Sequence, residues 1–293
     1  MKGEWNPRAE SREMNNATGV TWAKGKNIND PSTDEVSRKI LAAQSEAGIS
    51  IFDPVLCELV YRWFSPPTGT VLDPFAGGSV RGIVASKLGR QYVGCELRQE
   101  QVDANRIQGT KICTDPMPVW ACGDSKDIQM HCEGVQADLV FSCPPYADLE
   151  VYSDNPKDIS NMSYEDFKPA YFEIIKKSVE MLKPDRFAVF VVGEVRSKKN
   201  SGAYYGFVPD TIRAFEEAGA RYYNEIILLT AIGSLPIRTG RMFEAARKVG
   251  KTHQNVLVFC KGDAKKATQA CGDCEFGEAD LGDVTGVSVG EQL

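Results

Sequence analysis

Apolar and polar positions fall into alternating blocks along most of this chain. Short runs rich in β-branched and aromatic residues, at 70–73, 91–95, 118–121, 137–141 and 187–192, read as buried strands. Segments with the apolar spacing of helices separate most of them, at 54–64, 79–88, 98–107, 164–182 and 208–218. Strands that alternate with helices predict a parallel sheet covered on both faces. The last two apolar runs, at 222–229 and 255–260, have only a loop between them and predict an antiparallel pair at one edge. The expected fold is therefore α/β: a doubly wound, mostly parallel, Rossmann-like sheet closed by an antiparallel edge hairpin.

The flanks read differently. Residues 1–50 are polar, broken by Asn15-Asn16 and by Asn27-Ile28-Asn29-Asp30-Pro31, and predict an arm with one helix at 34–47. Residues 51–262 hold the alternating pattern and form the main domain, whereas residues 263–293 predict an acidic, Gly-rich, disordered tail. Ser65-Pro66-Pro67-Thr68 ends the 54–64 helix and serves as a linker.

Composition narrows the class. The 293 residues are 42% hydrophobic and 25% charged, enough for one large domain or two small ones. No apolar run approaches the roughly 20 residues that span a bilayer, and Met1-Lys2-Gly3-Glu4-Trp5 has no signal-peptide character. The nine cysteines are scattered over strands and helices, which suits a reducing compartment, so a cytoplasmic location is expected. His131 and His253 lie too far apart for a histidine-rich metal site. Cys271-Gly272-Asp273-Cys274 is a lone CxxC without a second ligand pair, so no metal is expected.

Charge is informative through its distribution. Beyond residue 272 stand Asp273, Glu275, Glu278, Asp280, Asp283 and Glu291 with no Lys or Arg, and these account for the whole formal net charge of −6. In the body, Arg238, Arg241, Arg247, Lys248 and Lys251 gather between residues 232 and 254 against the acid Glu244. Clusters of this kind neutralise phosphates, although a solvated basic loop would have the same composition. The position between two strands near the presumed ligand-binding edge favours nucleic acid. Trp22 with Lys24 and Lys26 gives the arm a possible grip of its own, or a packing role on the core.

Two strand ends carry the candidate chemistry. The strand 70–73 runs into Asp73-Pro74-Phe75-Ala76-Gly77-Gly78-Ser79, a glycine turn followed by a helix. Glycines let a backbone approach a ligand closely, and the helix N-terminus favours anionic groups. The next strand ends at Glu96, a carboxylate suited to ribose hydroxyls. The strand 137–141 runs into Ser142-Cys143-Pro144-Pro145-Tyr146, where two prolines force the backbone out of the sheet and hold an aromatic ring at its carboxyl edge.

Together these segments resemble the S-adenosylmethionine-dependent amino-methyltransferases that act on DNA bases. Asp73-Pro74-Phe75-Ala76-Gly77, with Gly78, is similar to that family's cofactor loop, and Cys143-Pro144-Pro145-Tyr146 to its catalytic loop. Gly123-Asp124-Ser125 resembles the segment that contacts the cofactor's adenine, and Asp53-Pro54 the lead-in to the cofactor loop. The resemblance spans roughly Ile51 to Gly262, and the order of the motifs supports it more than any one of them. It implies a class I methyltransferase-like fold, S-adenosylmethionine as cofactor, DNA as partner and a place in DNA methylation and restriction-modification. Two positions depart from the pattern: Ser79 stands where a further glycine is common, and Cys143 where Asp, Asn or Ser is usual.

The chemistry implied is demanding. An exocyclic amino group is a poor nucleophile because its lone pair is delocalised into the base. Acceptors for both amino hydrogens, the Pro144 carbonyl and the side chain at 143, would pull the nitrogen towards a tetrahedral shape, while Tyr146 stacks on a base taken out of the duplex. Cys143 is nearest to Ser in size, which inclines the reading towards N4 of cytosine over N6 of adenine. Three alternatives stay open: an RNA base methyltransferase, a cofactor-binding DNA-binding module without turnover, and a Cys143 thiolate attacking cytosine. In that last class, however, the proline precedes the cysteine. Specificity is expected from the loops at 147–162, 196–206 and 231–253.

Overall fold

The computed structural model describes residues 52–146, 153–197, 202–229 and 235–274, with backbone alone for 235–238. Its strands are β1 (Thr70–Asp73), β2 (Gln91–Glu96), β3 (Val119–Cys122), β4 (Ala137–Ser142), β5 (Leu182–Val192), β6 (Arg221–Leu229) and β7 (His253–Lys261). They form one sheet in the order β3-β2-β1-β4-β5-β7-β6. β7 runs antiparallel to both β5 and β6, and the other described pairings are parallel. This is the class I methyltransferase-like, Rossmann-like sheet expected from the sequence. The order reverses between β1 and β4, where an open sheet offers a crevice at its carboxyl edge.

Alternation along the central strands separates two cores. Val140, Ala188, Phe190, Leu257 and Phe259 face one side, under Phe167, Tyr171, Ile174 and Ile175 of α5 (Tyr164–Met181) and Phe207 and Phe215 of α6 (Phe207–Glu217). Leu139, Phe141, Val189, Val191, Val256 and Val258 face the other. There they meet Leu56, Val60 and Tyr61 of α1 (Pro54–Phe64), Ala85 of α2 (Val80–Lys87) and Val102 of α3 (Gln99–Ile112). Two of these helices start on a local cap. Asp53 caps α1 ahead of Pro54, and Ser163 caps α5 by accepting from the Asp166 N–H. At α6 the cap comes from a distance: the Glu194 carboxylate accepts the Phe207 and Val208 N–H groups at 3.3 and 3.0 Å.

The structure extends the pattern in several places. α3 continues to Ile112 and β5 begins at Leu182. A short α4 (Ile128–His131) follows β3. The stretch between β6 and β7, read as a loop, contains α7 (Leu235–Ala246). Its side chains from Gly240 to Arg247 are half-buried or exposed, so the segment has no core face to give its sequence a helical stripe. The acidic tail also starts later than expected. Ala264–Cys271 forms α8, capped by Asp263, and it buries Ala267 and Cys271 against the α1 side of the sheet. The expected arm, its helix at 34–47 and residues 275–293 lie outside the described residues.

At the amino edge of the central strands one carboxylate ties three of them together. Asp138 of β4 accepts the Thr70 N–H of β1 at 3.1 Å, Lys183 Nζ at 2.8 Å and Arg186 Nε at 3.0 Å, the last two from β5. Burial pushes the Asp138 pKa up, but these donors outweigh it and hold the carboxyl below its ordinary value. A native pKa below the unfolded one stabilises the fold above about pH 4, and that contribution is lost as pH falls through the depressed native value. Asp138→Ala is expected to cost about 2 kcal/mol at neutral pH. In urea unfolding followed across pH, the gap between wild type and variant should narrow only on the acid side of about pH 4. A gap that stays constant down to the acid limit would show the donors matter sterically rather than through the charge.

Candidate active site

β1 carries the chain through the core and ends on Asp73, whose carboxylate is fully buried. A charge in that position needs donors. On one oxygen it accepts Arg81 Nε at 2.6 Å and the Tyr92 hydroxyl at 2.7 Å. On the other it accepts the Ser142 hydroxyl at 2.5 Å and the Phe75 N–H at 3.1 Å. Arg81 in turn donates to the Phe75 and Ala76 carbonyls at 2.7 and 3.0 Å and lies over the Phe52 ring, 4.6 Å from its centroid. Burial works against the Arg81 charge, yet the Asp73 carboxylate outweighs it and keeps the guanidinium pKa above its ordinary value.

The glycine turn is fixed to this anchor and to its neighbours. The Ala76 N–H donates to the Cys95 carbonyl at 3.0 Å. Gly77 has φ +50°, a conformation open to glycine, and its N–H donates to Glu96 Oε2 at 2.9 Å while its carbonyl accepts Asn105 Nδ2 at 2.7 Å. The hydroxyl of Ser79 is bonded to the Gln108 side chain of α3, so the departure from glycine at this position serves as an anchor. Above the turn the ground is open: a Cβ built at Gly78 would meet nothing within 4 Å, and one at Gly77 would meet only the Phe75 carbonyl at 4.0 Å.

Two acids flank that space. Burial raises the Glu96 pKa, countered by the Arg98 N–H and side chain and by the Gly77 N–H. The Asp124 carboxylate accepts the Lys126 N–H at 2.9 Å and caps a short 3₁₀ turn. The adjoining Ser125 hydroxyl donates to the Pro74 carbonyl at 2.5 Å, and the Gly123 N–H donates to the Glu96 carbonyl at 2.9 Å. The three segments are thus bonded to one another, and together they form a turn, two carboxylates and open ground above a helix N-terminus. That donor set fits a nucleoside cofactor with a charged tail.

Ser142, also fully buried, ends β4 and bonds Asp73, so the Cys143-Pro144-Pro145-Tyr146 loop leaves the sheet beside the glycine turn. Pro144 is buried, while Cys143, Pro145 and Tyr146 are half-buried. The Tyr146 ring meets Phe207 edge-on at 5.7 Å, and its hydroxyl accepts Gln254 Nε2 at 2.7 Å. Asp53 is not brought into this group. Its side chain is exposed and caps α1, accepting the Val55 and Leu56 N–H groups, although its neighbour Phe52 reaches Arg81.

The basic residues divide. Arg241 and Arg247 are exposed on and just beyond α7, with Arg247 over the Phe243 ring, 5.0 Å from its centroid. Lys248 lies against Gly202. Burial lowers the Lys251 pKa, countered by Glu194 and Glu225, and its Nζ donates to Asn255 Oδ1 at 3.4 Å, which ties it to β7. The side chain of Arg238 lies outside the described residues. Sequence reasoning missed Arg81, Tyr92, Asn105, Ser142 and Gln254. For most of these nothing local sets them apart, but Arg81, a charge inside an otherwise core-facing helix turn, was a signal. Among the described residues no three His, Cys, Asp or Glu side chains gather to hold a metal ion, and no helix is long and apolar enough to cross a membrane.

Comparison with known proteins agrees with the motifs. A family model described as DNA methylase, of the N6/N4 methyltransferase type, matches residues 52–106, which include the cofactor-loop motif. Over 48 residues the chain is 44% identical to the Type II methyltransferase M1.MboII of Moraxella bovis, a stretch that covers 16% of this chain and 18% of that enzyme. Among solved structures, TrmN from Thermus thermophilus is 13% identical at a TM-score of 0.47, covering 77% of this chain and 53% of its own. A TehB-like SAM-dependent methyltransferase from Corynebacterium glutamicum is 17% identical at a TM-score of 0.44, covering 78% and 97%. The family match and the stretch shared with M1.MboII support the likeness to the DNA amino-methyltransferases.

The Asp73 node gives a direct test of how the site is held. Asp73→Ala leaves Arg81 charged and buried without its partner and is expected to cost about 3–5 kcal/mol in chemical denaturation. Asp73→Ala with Arg81→Met removes both charges and should recover much of that loss. Equal losses in the single and double variants would mean that the hydrogen-bond geometry, not the ion pair, is what matters.

Proposed function

We propose that this protein transfers a methyl group from S-adenosylmethionine to an exocyclic amino nitrogen of a DNA base, with N4 of cytosine favoured over N6 of adenine. The observation that carries the proposal is the Ser142–Asp73 hydrogen bond. Through it the loop that resembles a cofactor loop and the loop that resembles a catalytic loop hang from one buried carboxylate. The family match over residues 52–106 supports the same reading.

In this reading Glu96 holds the ribose hydroxyls, Asp124 and its neighbours hold the adenine, and the Gly77-Gly78 turn with the α2 N-terminus receives the charged tail. Bound there, S-adenosylmethionine supplies an electrophilic methyl group. Asp73 has a different part from the one its sequence suggests: with both carboxylate oxygens accepting from internal donors, it positions the turn and does not face the cofactor. The Pro144 carbonyl and the Cys143 side chain accept the two amino hydrogens and aim the nitrogen's lone pair. Ser142 cannot take over from Cys143, because its hydroxyl already donates to Asp73. Tyr146 stacks on the extruded base. A thiol is a weak acceptor, and its shape is nearest to serine, the residue that in the resembled family accompanies cytosine more often than adenine.

Labelled cofactor incubated with DNA and with RNA, followed by digestion to nucleosides and mass spectrometry, tests this directly. The expected product is methylated at an amino nitrogen in DNA. Label confined to RNA would favour the RNA enzyme, and tight cofactor binding without transfer would favour a binding module. Tyr146→Ala should leave cofactor affinity by calorimetry nearly unchanged and reduce turnover by about 1–3 kcal/mol, roughly five- to 150-fold. Undiminished turnover would make Tyr146 a packing residue on Phe207. Cys143→Ser should retain or raise activity, since a hydroxyl accepts better in nearly the same volume. Loss of activity in that variant, together with a covalent adduct between the wild type and 5-fluorocytosine DNA, would falsify amino methylation.

A further inference from the structure

Beyond β5, in the stretch at 196–206 from which specificity is expected, the chain forms a two-stranded ribbon. The Tyr205 N–H donates to the Val195 carbonyl at 2.9 Å, the Ser197 N–H to the Ala203 carbonyl at 2.8 Å, and Arg196 pairs with Tyr204 across it. The Arg196 guanidinium lies over the Tyr204 ring, 4.0 Å from its centroid, and donates to the Gly202 carbonyl at 2.9 Å and the Tyr204 hydroxyl at 3.1 Å. Tyr204 remains 46% exposed. From beyond α7, Lys248 reaches the same glycine. A Cβ built at Gly202, which has φ +74°, would lie 2.2 Å from Lys248 Nζ, so only glycine lets the ammonium approach so closely. Next along the chain is Arg247, lying over Phe243.

These cations lack the partners that surface cations usually have. No carboxylate of a described residue lies within ion-pair distance of Arg196, Arg247 or Lys248, Glu244 of α7 included. Gathering like charges around one glycine costs energy unless an anion is to be bound there. The place is also telling. A Cβ built at Gly193 would lie 3.7 Å from the Tyr146 hydroxyl. Arg196 follows three residues later, within about 10 Å of chain reach. At about 3.4 Å per nucleotide along one strand, that is roughly three nucleotides from the base beside Tyr146.

We propose that Arg196, Tyr204 and Lys248, with Arg247, form a grip for the DNA strand that flanks the target base: Arg196 and Lys248 take backbone phosphates, and Tyr204 stacks on a neighbouring base. This rests on the methyltransferase reading for its partner and adds the surface that holds it. Stacked guanidiniums keep their N–H edges directed outward, and a ring beside them suits an unpaired base better than a peptide carboxylate.

The test measures binding of random-sequence duplex DNA against salt for the wild type, Lys248→Gln, Arg196→Gln with Lys248→Gln, and a charge-matched control, Lys87→Gln with Lys111→Gln. Each lost phosphate contact should flatten the slope of log affinity against log salt by about 0.9, so the single variant loses about 0.9 and the double about 1.8. The control should keep the wild-type slope, and calorimetry should give every variant the wild-type affinity for S-adenosylmethionine. Lys248→Gln makes no demand on the ribbon's hydrogen bonds and so decides the matter even if the double variant fails to fold. An unchanged slope in the folded variants overturns the grip and leaves methyl transfer standing. The expected slopes without methyl transfer from labelled cofactor would uphold the grip and overturn the enzymatic reading. A wild type that does not bind DNA overturns the grip outright.

Discussion

The site is built around one buried carboxylate. Asp73 ends a central strand in full burial, where an unpaired charge would be prohibitively costly, and it is satisfied by donors from four places: Arg81 on α2, Tyr92 on β2, Ser142 on β4 and the backbone of its own turn at Phe75. None of these elements can shift without stranding the charge. The glycine turn and the Cys143-Pro144-Pro145-Tyr146 loop are thereby held relative to each other to within hydrogen-bond tolerance, a constraint that the proposed methyl transfer between them would need. Arg81 adds to it by holding the Phe75 and Ala76 carbonyls from beneath, which leaves the upper side of the turn open.

A second acid works at the opposite edge of the same strands. Asp138 joins β1, β4 and β5 at their amino ends, Asp73 joins the carboxyl ends of β1 and β4 and takes the Tyr92 hydroxyl from the start of β2, and the fully buried strand pairs run between them. The two differ in exposure. Lys183 is 38% exposed in its side chain, whereas Arg81 is 6% exposed, so solvent screens the first cluster and hardly the second. The amino edge therefore contributes ordinary stability, while the carboxyl edge concentrates a fixed geometry around a charge that water cannot replace.

The antiparallel edge has a different physical character. β6 is half-buried at best along its length, and the described side chains of α7, from Thr239 to Ala246, are half-buried or exposed, so this edge is held less by apolar burial than by local bonds. Lys251 to Asn255 and Asn255 to Glu225 link β7 outward to β6, and Glu194 caps α6 from the end of β5. Cations on that edge stand near the sheet's ligand-binding side without being part of its core. Such a surface can change in sequence, and hence in what it recognises, without disturbing the Asp73 node.

Much of this was legible in the chain itself. Strand 70–73 and helix 54–64 match the structure, and the order of glycine turn, Glu96, Gly123-Asp124-Ser125 and the double-proline loop marked out the candidate site, because these features depend on local backbone needs that particular residues report directly. Helices α7 and α8 were not legible in the same way. The first buries none of its described side chains, and the second sits at the head of an acidic segment whose composition hid the few apolar positions that dock it. Nor could the sequence say that Asp73 faces inward to Arg81 while Asp53 faces outward as a cap, since both precede proline near an element boundary. Which carboxylate is buried, which serine is taken up by it and which cations lie without a carboxylate among the described residues depend on side chains brought together from distant segments. Those pairings exist only once the sheet has closed its register, and so they were decided by the tertiary structure.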